Sequence, residues 1–333
     1  MRSSLTVRFI LTTLNADDTL NGVQSFIISK TATGLISNMK RGFYMEKKKS
    51  ISIFVGFISV LVAIATTIGI ASINLKNEFD FTTIYGDTVK IYGGGIYKMH
   101  TVAQVYQVIP HDIVNLFLAL PALVISFLIA RKGILKARLF FMAVTLYLMF
   151  TYGIYTFYAM YNRLFICYVA IMGLCFYTFF IILKGTDAAK VKELFKDNYP
   201  NKLVGGFLIT AASFMTLTWL KTIMPTALFG EMPTIDLAQS TTMVPQAIDL
   251  AFVLPLAFVM GIRLCRKKPE AYIICTVVPA FLVFMMTAIF SKGLMLQITN
   301  TTDGIGTMVI MGTFAAAALI ITIINFRFMK KEG

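Results

Sequence analysis

Long apolar runs separated by short polar segments dominate the chain. A helix needs about 20 apolar residues to cross the roughly 30 Å hydrocarbon core of a bilayer. The runs that meet this length are 51–73, 112–130, 139–160, 164–184, 203–220, 244–264, 271–291 and 305–327. Within each run the apolar residues are continuous, whereas barrel strands would alternate apolar and polar residues. The pattern therefore predicts an all-α, polytopic transmembrane bundle of about eight spans.

The overall composition agrees with a membrane protein. Of the 333 residues, 57% are hydrophobic and 14% are charged, whereas soluble domains carry about 25% charged residues. The net charge of +14 would suit nucleic acid. Because the basic residues form short clusters between the apolar runs, we instead expect the partner to be the lipid bilayer and not nucleic acid.

The basic clusters also predict an orientation. Of the 30 Lys and Arg residues, 24 fall in alternate connections, namely 1–50, 131–138, 184–202, 263–270 and 327–333. The others are Lys76, Lys90, Lys98, Arg163, Lys221 and Lys292. Since basic loops stay on the cytoplasmic side, the chain is predicted to be a multi-pass protein of the cell membrane with both termini in the cytoplasm.

Three regions follow from this arrangement. Residues 1–44 lack a long apolar run and precede "MEKKKSISIFVGF", which resembles a natural start at Met45. They are interpreted as a targeting extension or as a product of a misplaced upstream start. A first four-span half, 45–202, includes an outer segment, 74–110, for which a hairpin or an interfacial segment is expected. A second half, 203–333, includes an outer loop, 221–243, expected to form a short helix or a capping loop.

The two halves share a weak similarity. "IVNLFLALPALVISFLI" (113–129) aligns with "AIDLAFVLPLAFVMGIR" (247–263), so that Asn115 matches Asp249 and Pro121 matches Pro255. Two interpretations remain open: a duplication that produced two parallel four-helix repeats, and chance similarity between leucine-rich segments. Both prolines lie in mid-span, where the missing N–H predicts a kink.

Residues 85–180 carry a set of short motifs. They comprise a Gly-Tyr outer segment, a D…LPxLxxS span, a basic R-x-G turn and a tyrosine-rich span followed by YNxLF. The residues concerned are Gly95, Tyr97, Asp112, Pro121, Ser126, Arg131, Gly133, Tyr152, Tyr155, Asn162 and Phe165. In these motifs the chain resembles a broad group of prokaryotic polytopic membrane proteins of unknown function. The resemblance implies an architecture but no activity.

Polar residues cluster at the outer ends of the second and sixth spans. His111, Asp112 and Asn115 belong to the second span, and Gln246 and Asp249 to the sixth. Ionisable residues within spans are costly and are therefore candidate functional positions. For Asp112 the alternative is a helix cap at the membrane interface. Asp249 lies deeper, so that it is the stronger candidate for a ligand-binding or partnered role.

The third span adds a polar face. Tyr147, Thr151, Tyr155, Tyr158 and Asn162 recur at intervals of three and four residues, which places them on one side of a helix. They are expected to line a wet cavity, or else to serve helix packing and an interfacial aromatic belt.

The short outer turn after this span contains Arg163. Its guanidinium is a candidate ion-pair partner for Asp112 or Asp249, or for a lipid phosphate.

No cofactor or metal site is predicted. The chain lacks HExxH, GxSxG and CxxC motifs and contains only two histidines, His100 and His111. The four cysteines have no metal-ligand spacing and are expected to be apolar packing residues.

Three functions remain open. The first is a carrier or binding protein for a small solute or lipid, with its site in the outer half between the two halves. The second is a non-catalytic accessory, sensor or assembly subunit that binds a membrane protein partner. The third, which the missing motifs disfavour, is a lipid-modifying enzyme that uses His111 and Asp112 as an acid–base pair.

Overall fold

The chain forms an all-α bundle, as predicted. A computed structural model describes residues 49–232, 237, 240–300 and 304–331, and the predicted extension 1–44 lies outside them. In this part of the chain eight helices are long and apolar enough to cross a membrane. They are α1 (Lys49–Asn74), α2 (Val102–Ala130), α3 (Leu135–Phe157), α4 (Phe165–Lys184), α6 (Asn201–Phe229), α7 (Val244–Cys265), α8 (Pro269–Ile298) and α9 (Ile305–Arg327). A short helix, α5 (Ala188–Leu194), precedes α6.

Several helices are longer than their apolar runs. Helix α2 begins at Val102 rather than at residue 112, so that part of the segment 74–110 is helical. Helix α6 continues through Pro225 to Phe229, so residues 221–229 belong to a span and not to a separate short helix or loop. Lys221 and Lys292, expected in loops, therefore lie inside α6 and α8. In α6 and α8 sequence reasoning ended the run too early because it stopped at the lysine.

The segment between α1 and α2 contains a β-hairpin, one of the two structures expected there. Strand β1 (Phe79–Thr82) pairs antiparallel with β2 (Thr88–Ile91). The Tyr85 hydroxyl, in the turn of the hairpin, donates to the carbonyl of Ser240 at 3.0 Å. The hairpin is thus connected to the segment that precedes α7. We call this end of the bundle the hairpin end.

Helices α3 and α8 form the interior of the bundle. About two-thirds (67%) of the apolar core of each is buried, against at most 39% in the other long helices. Helix α8 packs against α2, α3, α5, α7 and α9. The other helices expose much of their apolar surface, which a lipid environment favours.

Helices α6 and α7 approach each other closely through two glycines. A β-carbon on Gly205 would lie 2.6 Å from the carbonyl oxygen of Gly261, and one on Gly261 would lie 2.7 Å from that of Gly205. Small residues at such crossings let helix backbones come into direct contact in membranes.

The end opposite the hairpin is held together by polar contacts. The Tyr199 hydroxyl donates to Asn325 Oδ1 at 2.6 Å, and Asn325 Nδ2 donates to the carbonyl of Cys275 at 2.9 Å. Phe195 forms an isolated β-bridge with Met329. Because these residues satisfy each other, this network has a structural role.

Among the described helices, two contain a π-helical segment. In α2 it spans Asn115–Ala119, and in α7 it spans Asp249–Val253. Pro121 and Pro255 follow in the first turn after each segment. Both prolines thus lie where the regular α-helical hydrogen-bond pattern is already interrupted.

Candidate functional site

The start of α2 determines where its polar residues lie. Thr101 caps the helix: its hydroxyl accepts from the backbone N–H of Gln104, whose side chain accepts from the backbone N–H of Thr101. This capping box starts the helix well before Asp112. The prediction of Asp112 as an interfacial helix cap is therefore wrong, because this residue lies in the interior of the helix and is buried.

Two tyrosines hold the Asp112 carboxyl group. The Tyr97 hydroxyl donates to Oδ2 at 2.5 Å, and the Tyr155 hydroxyl donates to Oδ1 at 3.0 Å. Tyr97 belongs to the segment before α2. Burial raises the pKa of Tyr97 well above its ordinary range, and the neighbouring Asp112 adds to the shift. Its hydroxyl therefore stays protonated and available as a donor.

His111 and Asn115 face another side of α2 and contact α3. His111 Nε2 lies 3.2 Å from Thr151 Oγ1, and its ring stacks on Tyr147 with centroids 5.9 Å apart. The Tyr147 hydroxyl donates to Asn115 Oδ1 at 2.7 Å. His111 Nδ1 and Asn115 Nδ2 are buried without a partner in the part of the chain that the structure describes.

His111 and Asp112 make no hydrogen bond to each other. Their contacts are with different residues of α3, because successive helical residues point in different directions. The two side chains are therefore not a hydrogen-bonded pair, and their use as an acid and a base stays a prediction.

We call the seven connected residues the Asp112 cluster. They are Tyr97, His111, Asp112, Asn115, Tyr147, Thr151 and Tyr155.

The predicted polar face of α3 contributes to this cluster only in part. Tyr147, Thr151 and Tyr155 belong to it, as the helical spacing indicates. Tyr158 and Asn162 do not, because α3 ends before both of them. Tyr158 is half-buried at the end of the helix.

Asn162 instead stabilises the turn between α3 and α4. Its Oδ1 accepts from the backbone N–H of Leu164 at 2.8 Å, and its Nδ2 donates to the carbonyl of Met160 at 3.3 Å. The neighbouring Arg163 is exposed and forms no ion pair among the described residues. The expected ion pair with Asp112 or Asp249 is therefore wrong.

Asp249 forms a separate site on α7. The Trp219 indole N–H on α6 donates to Asp249 Oδ2 at 3.0 Å. Gln246, one turn earlier, has a buried Oε1 that finds no partner within the described residues. The carboxyl groups of Asp112 and Asp249 share no hydrogen-bond donor, because tyrosine hydroxyls donate to Asp112 and the Trp219 indole donates to Asp249.

A histidine outside the predicted site supports the hairpin end. His100 Nε2 accepts from the backbone N–H of Met160 at 3.1 Å, and its ring lies against Tyr97 with centroids 5.3 Å apart. Burial lowers the pKa of His100 to about 4, so that the ring is neutral at physiological pH. It connects the segment before α2 to the end of α3.

Sequence reasoning did not connect three residues to the acidic side chains. Trp219 could have been singled out, since it is the single tryptophan of the chain. Nothing in the sequence marked Gly69 on α1, which lies against Asp112. Tyr97 appeared only among the residues of the family resemblance, and nothing in its own segment connected it to Asp112.

Comparisons of the chain with protein-family models, with curated proteins and with solved structures find no match. The resemblance to the prokaryotic polytopic group therefore stays a prediction. No group of three metal-ligand side chains occurs among residues 49–232, 237, 240–300 and 304–331.

Proposed function

We propose that the protein binds a small solute or a lipid at the hairpin end of the bundle and carries it in or across the membrane. The observation that carries this proposal is the buried Asp112 carboxyl group, which has two hydroxyl donors and no cationic partner among the described residues. Ionisable residues within spans are costly and usually mark functional positions. Helix packing alone does not require a carboxyl group here, since apolar side chains pack spans together without this cost.

The two π-helical segments support a site in these helices. Each begins at a polar residue, Asn115 in α2 and Asp249 in α7. Such segments occur frequently at functional sites, because they leave backbone groups outside the regular hydrogen-bond pattern. Carriers commonly place substrates beside interrupted helices.

We further propose that α1–α4 and α6–α9 are parallel repeats. The alignment that matches Asn115 with Asp249 and Pro121 with Pro255 also superimposes the two π-helical segments. The coincidence of backbone irregularity and sequence similarity favours duplication over chance. It also makes the Asp112 cluster and the Asp249 site corresponding positions of the two halves.

In the proposed orientation the hairpin end faces outward in the cell membrane. This follows from the basic residues, most of which lie in the connections at the opposite end. Both acidic sites would then lie in the outer half of the bundle.

Native mass spectrometry of the protein extracted gently from its own membrane tests the proposal. We expect a bound molecule of defined mass that is lost in Asp112→Asn and weakened in Asp249→Asn. Asp80→Asn, at an exposed position of β1, is the matched control and should retain it. A folded Asp112→Asn protein that retains the molecule as fully as wild type would contradict the assignment.

A second function is favoured by a different observation. Phe79, Phe81 and Ile84 of the hairpin are exposed, Ile84 by 73%. An accessory subunit would use this surface to bind a membrane protein partner. Changing the three residues to serine leaves Tyr97 and the Asp112 cluster intact. Loss of a second polypeptide from the purified complex of this variant would support the accessory function. An unchanged complex would exclude this surface as the partner-binding site.

A further inference from the structure

Lys292 is an unpaired cation inside a span. It lies within α8, is half-buried, and forms no ion pair or hydrogen bond in the part of the chain that the structure describes. A lysine at such a position is costly and usually marks a binding site or a pathway. One turn further along α8, Met295 packs on the apolar cluster that contains Tyr97 and Ile109. Lys292 is thus on the part of α8 that meets the hairpin end of α2.

Unused nitrogen atoms lie on the facing helix. His111 and Asn115 are one turn apart on α2, are at most 3% exposed, and each has a side-chain nitrogen without a partner. Lys292 lies one turn before Met295 on α8, and α8 packs against this part of α2. Buried polar atoms are normally hydrogen-bonded, so unpaired ones need an explanation. A ligand that both helices bind together provides one.

The available hydrogen-bonding groups are mainly donors. The lysine ammonium and the Asn115 amide nitrogen can only donate, and His111 Nδ1 donates when its Nε2 accepts from Thr151. The acceptor atoms of Asp112 and Asn115 are already occupied by tyrosine hydroxyls. A group with several acceptor oxygens and a negative charge fits this arrangement.

We propose that Lys292, His111 and Asn115 bind a phosphate group of the carried solute or lipid. The inference rests on the proposed function, because it names the chemistry of the ligand for the same site. In that site Asp112 would position Tyr155, whose ring lies against His111, and would not itself contact the phosphate. The phosphate belongs either to a lipid headgroup or to a soluble molecule.

The test uses the protein in dodecyl maltoside micelles, which contain no phosphate, and measures its thermal midpoint. One arm adds inorganic phosphate, and the other adds phosphatidylglycerol to the micelles. We expect one of these additions to raise the midpoint of wild type. A response to inorganic phosphate identifies a soluble ligand, and a response to phosphatidylglycerol alone identifies a lipid headgroup.

Lys292→Met is the decisive variant and Lys221→Met its control. Methionine removes a half-buried charge, so we expect Lys292→Met to fold. It should weaken the apparent affinity for the active probe at least about tenfold, because the charged hydrogen-bond donor to the phosphate is lost. Lys292→Arg should keep the response. Lys221, also a lysine within a span but exposed, should be replaceable without effect.

The phosphate inference is overturned if neither addition stabilises wild type, or if Lys292→Met responds as wild type does. A different result would contradict the proposed function, namely the absence of any bound small molecule in native mass spectra. A bound molecule that lacks phosphate would retain the carrier function and overturn the phosphate inference alone.

Discussion

Gly69 of α1 lies directly against the carboxyl group of Asp112, with no room between them for a side chain. A β-carbon at residue 69 would overlap Asp112 Oδ2 and lie 2.7 Å from the Tyr97 hydroxyl oxygen. The first span therefore covers the Asp112 cluster with its backbone. It shields the hydrogen bonds to Asp112 from lipid and water, which strengthens them.

Replacing Gly69 with alanine should disturb these hydrogen bonds. The added methyl group must displace Asp112 or separate α1 from α2, and overpacking of this kind costs about 1–3 kcal/mol. We expect a lower thermal midpoint in detergent and reduced ligand retention. Gly56→Ala on the same helix is the control, since nothing lies within 4 Å of its β-carbon position. Equal midpoints for both variants would contradict the close contact at Gly69.

Tyr97→Phe should destabilise the protein. The change leaves Asp112 Oδ2 without its donor at 2.5 Å and connects the hairpin segment less firmly to α2. A buried group left unsatisfied costs about 1–3 kcal/mol, which chemical denaturation in mixed micelles can measure. Tyr161→Phe, at a position that is 80% exposed, should change the free energy of unfolding by less than about 0.5 kcal/mol. If Tyr97→Phe lowers the free energy of unfolding no more than Tyr161→Phe does, the hydrogen bond from the Tyr97 hydroxyl to Asp112 is contradicted.

His100 should make stability depend on pH. Burial lowers its pKa from 6.5 to about 4 in the folded state, so the unfolded state binds the proton more readily. The contribution of the neutral His100 ring to the free energy of unfolding is therefore complete above pH 6.5. It is lost progressively as the pH falls to about 4, by about 3 kcal/mol in total. Thermal midpoints across this range measure it.

The matched variant for this prediction is His100→Gln. Glutamine does not titrate in this range, so the difference between the wild-type and variant midpoints should narrow as the pH falls. A difference between the two midpoints that stays constant from pH 7 to 4 would contradict the lowered pKa of His100.

The spans were predictable because each requires many apolar residues in succession. Their ends were not, because helices such as α6 and α8 continue past the polar residues Lys221 and Lys292. The length of α2 depends on the capping box at Thr101, a local hydrogen-bond pattern that hydropathy does not register.

The candidate site could be predicted where it follows helical spacing. Tyr147, Thr151 and Tyr155 share a face of α3, and all three contact the polar residues of α2. Contacts between segments that are distant in the sequence could not be predicted. Nothing in the sequence around Tyr97 or Trp219 shows which carboxyl group each one reaches, because this depends on the packing of whole helices.

Trp219 provides an optical report on the Asp249 site. It is the single tryptophan of the chain, and its indole N–H donates to Asp249 Oδ2 at 3.0 Å. Asp249→Ala removes this acceptor and leaves a less polar surrounding, so we expect the tryptophan emission to shift to shorter wavelength. Asp112→Asn, whose side chain contacts tyrosines and not Trp219, is the control and should leave the emission unchanged. A similar shift in both variants would mean that the two sites are coupled, and an unchanged spectrum in Asp249→Ala would contradict the hydrogen bond itself.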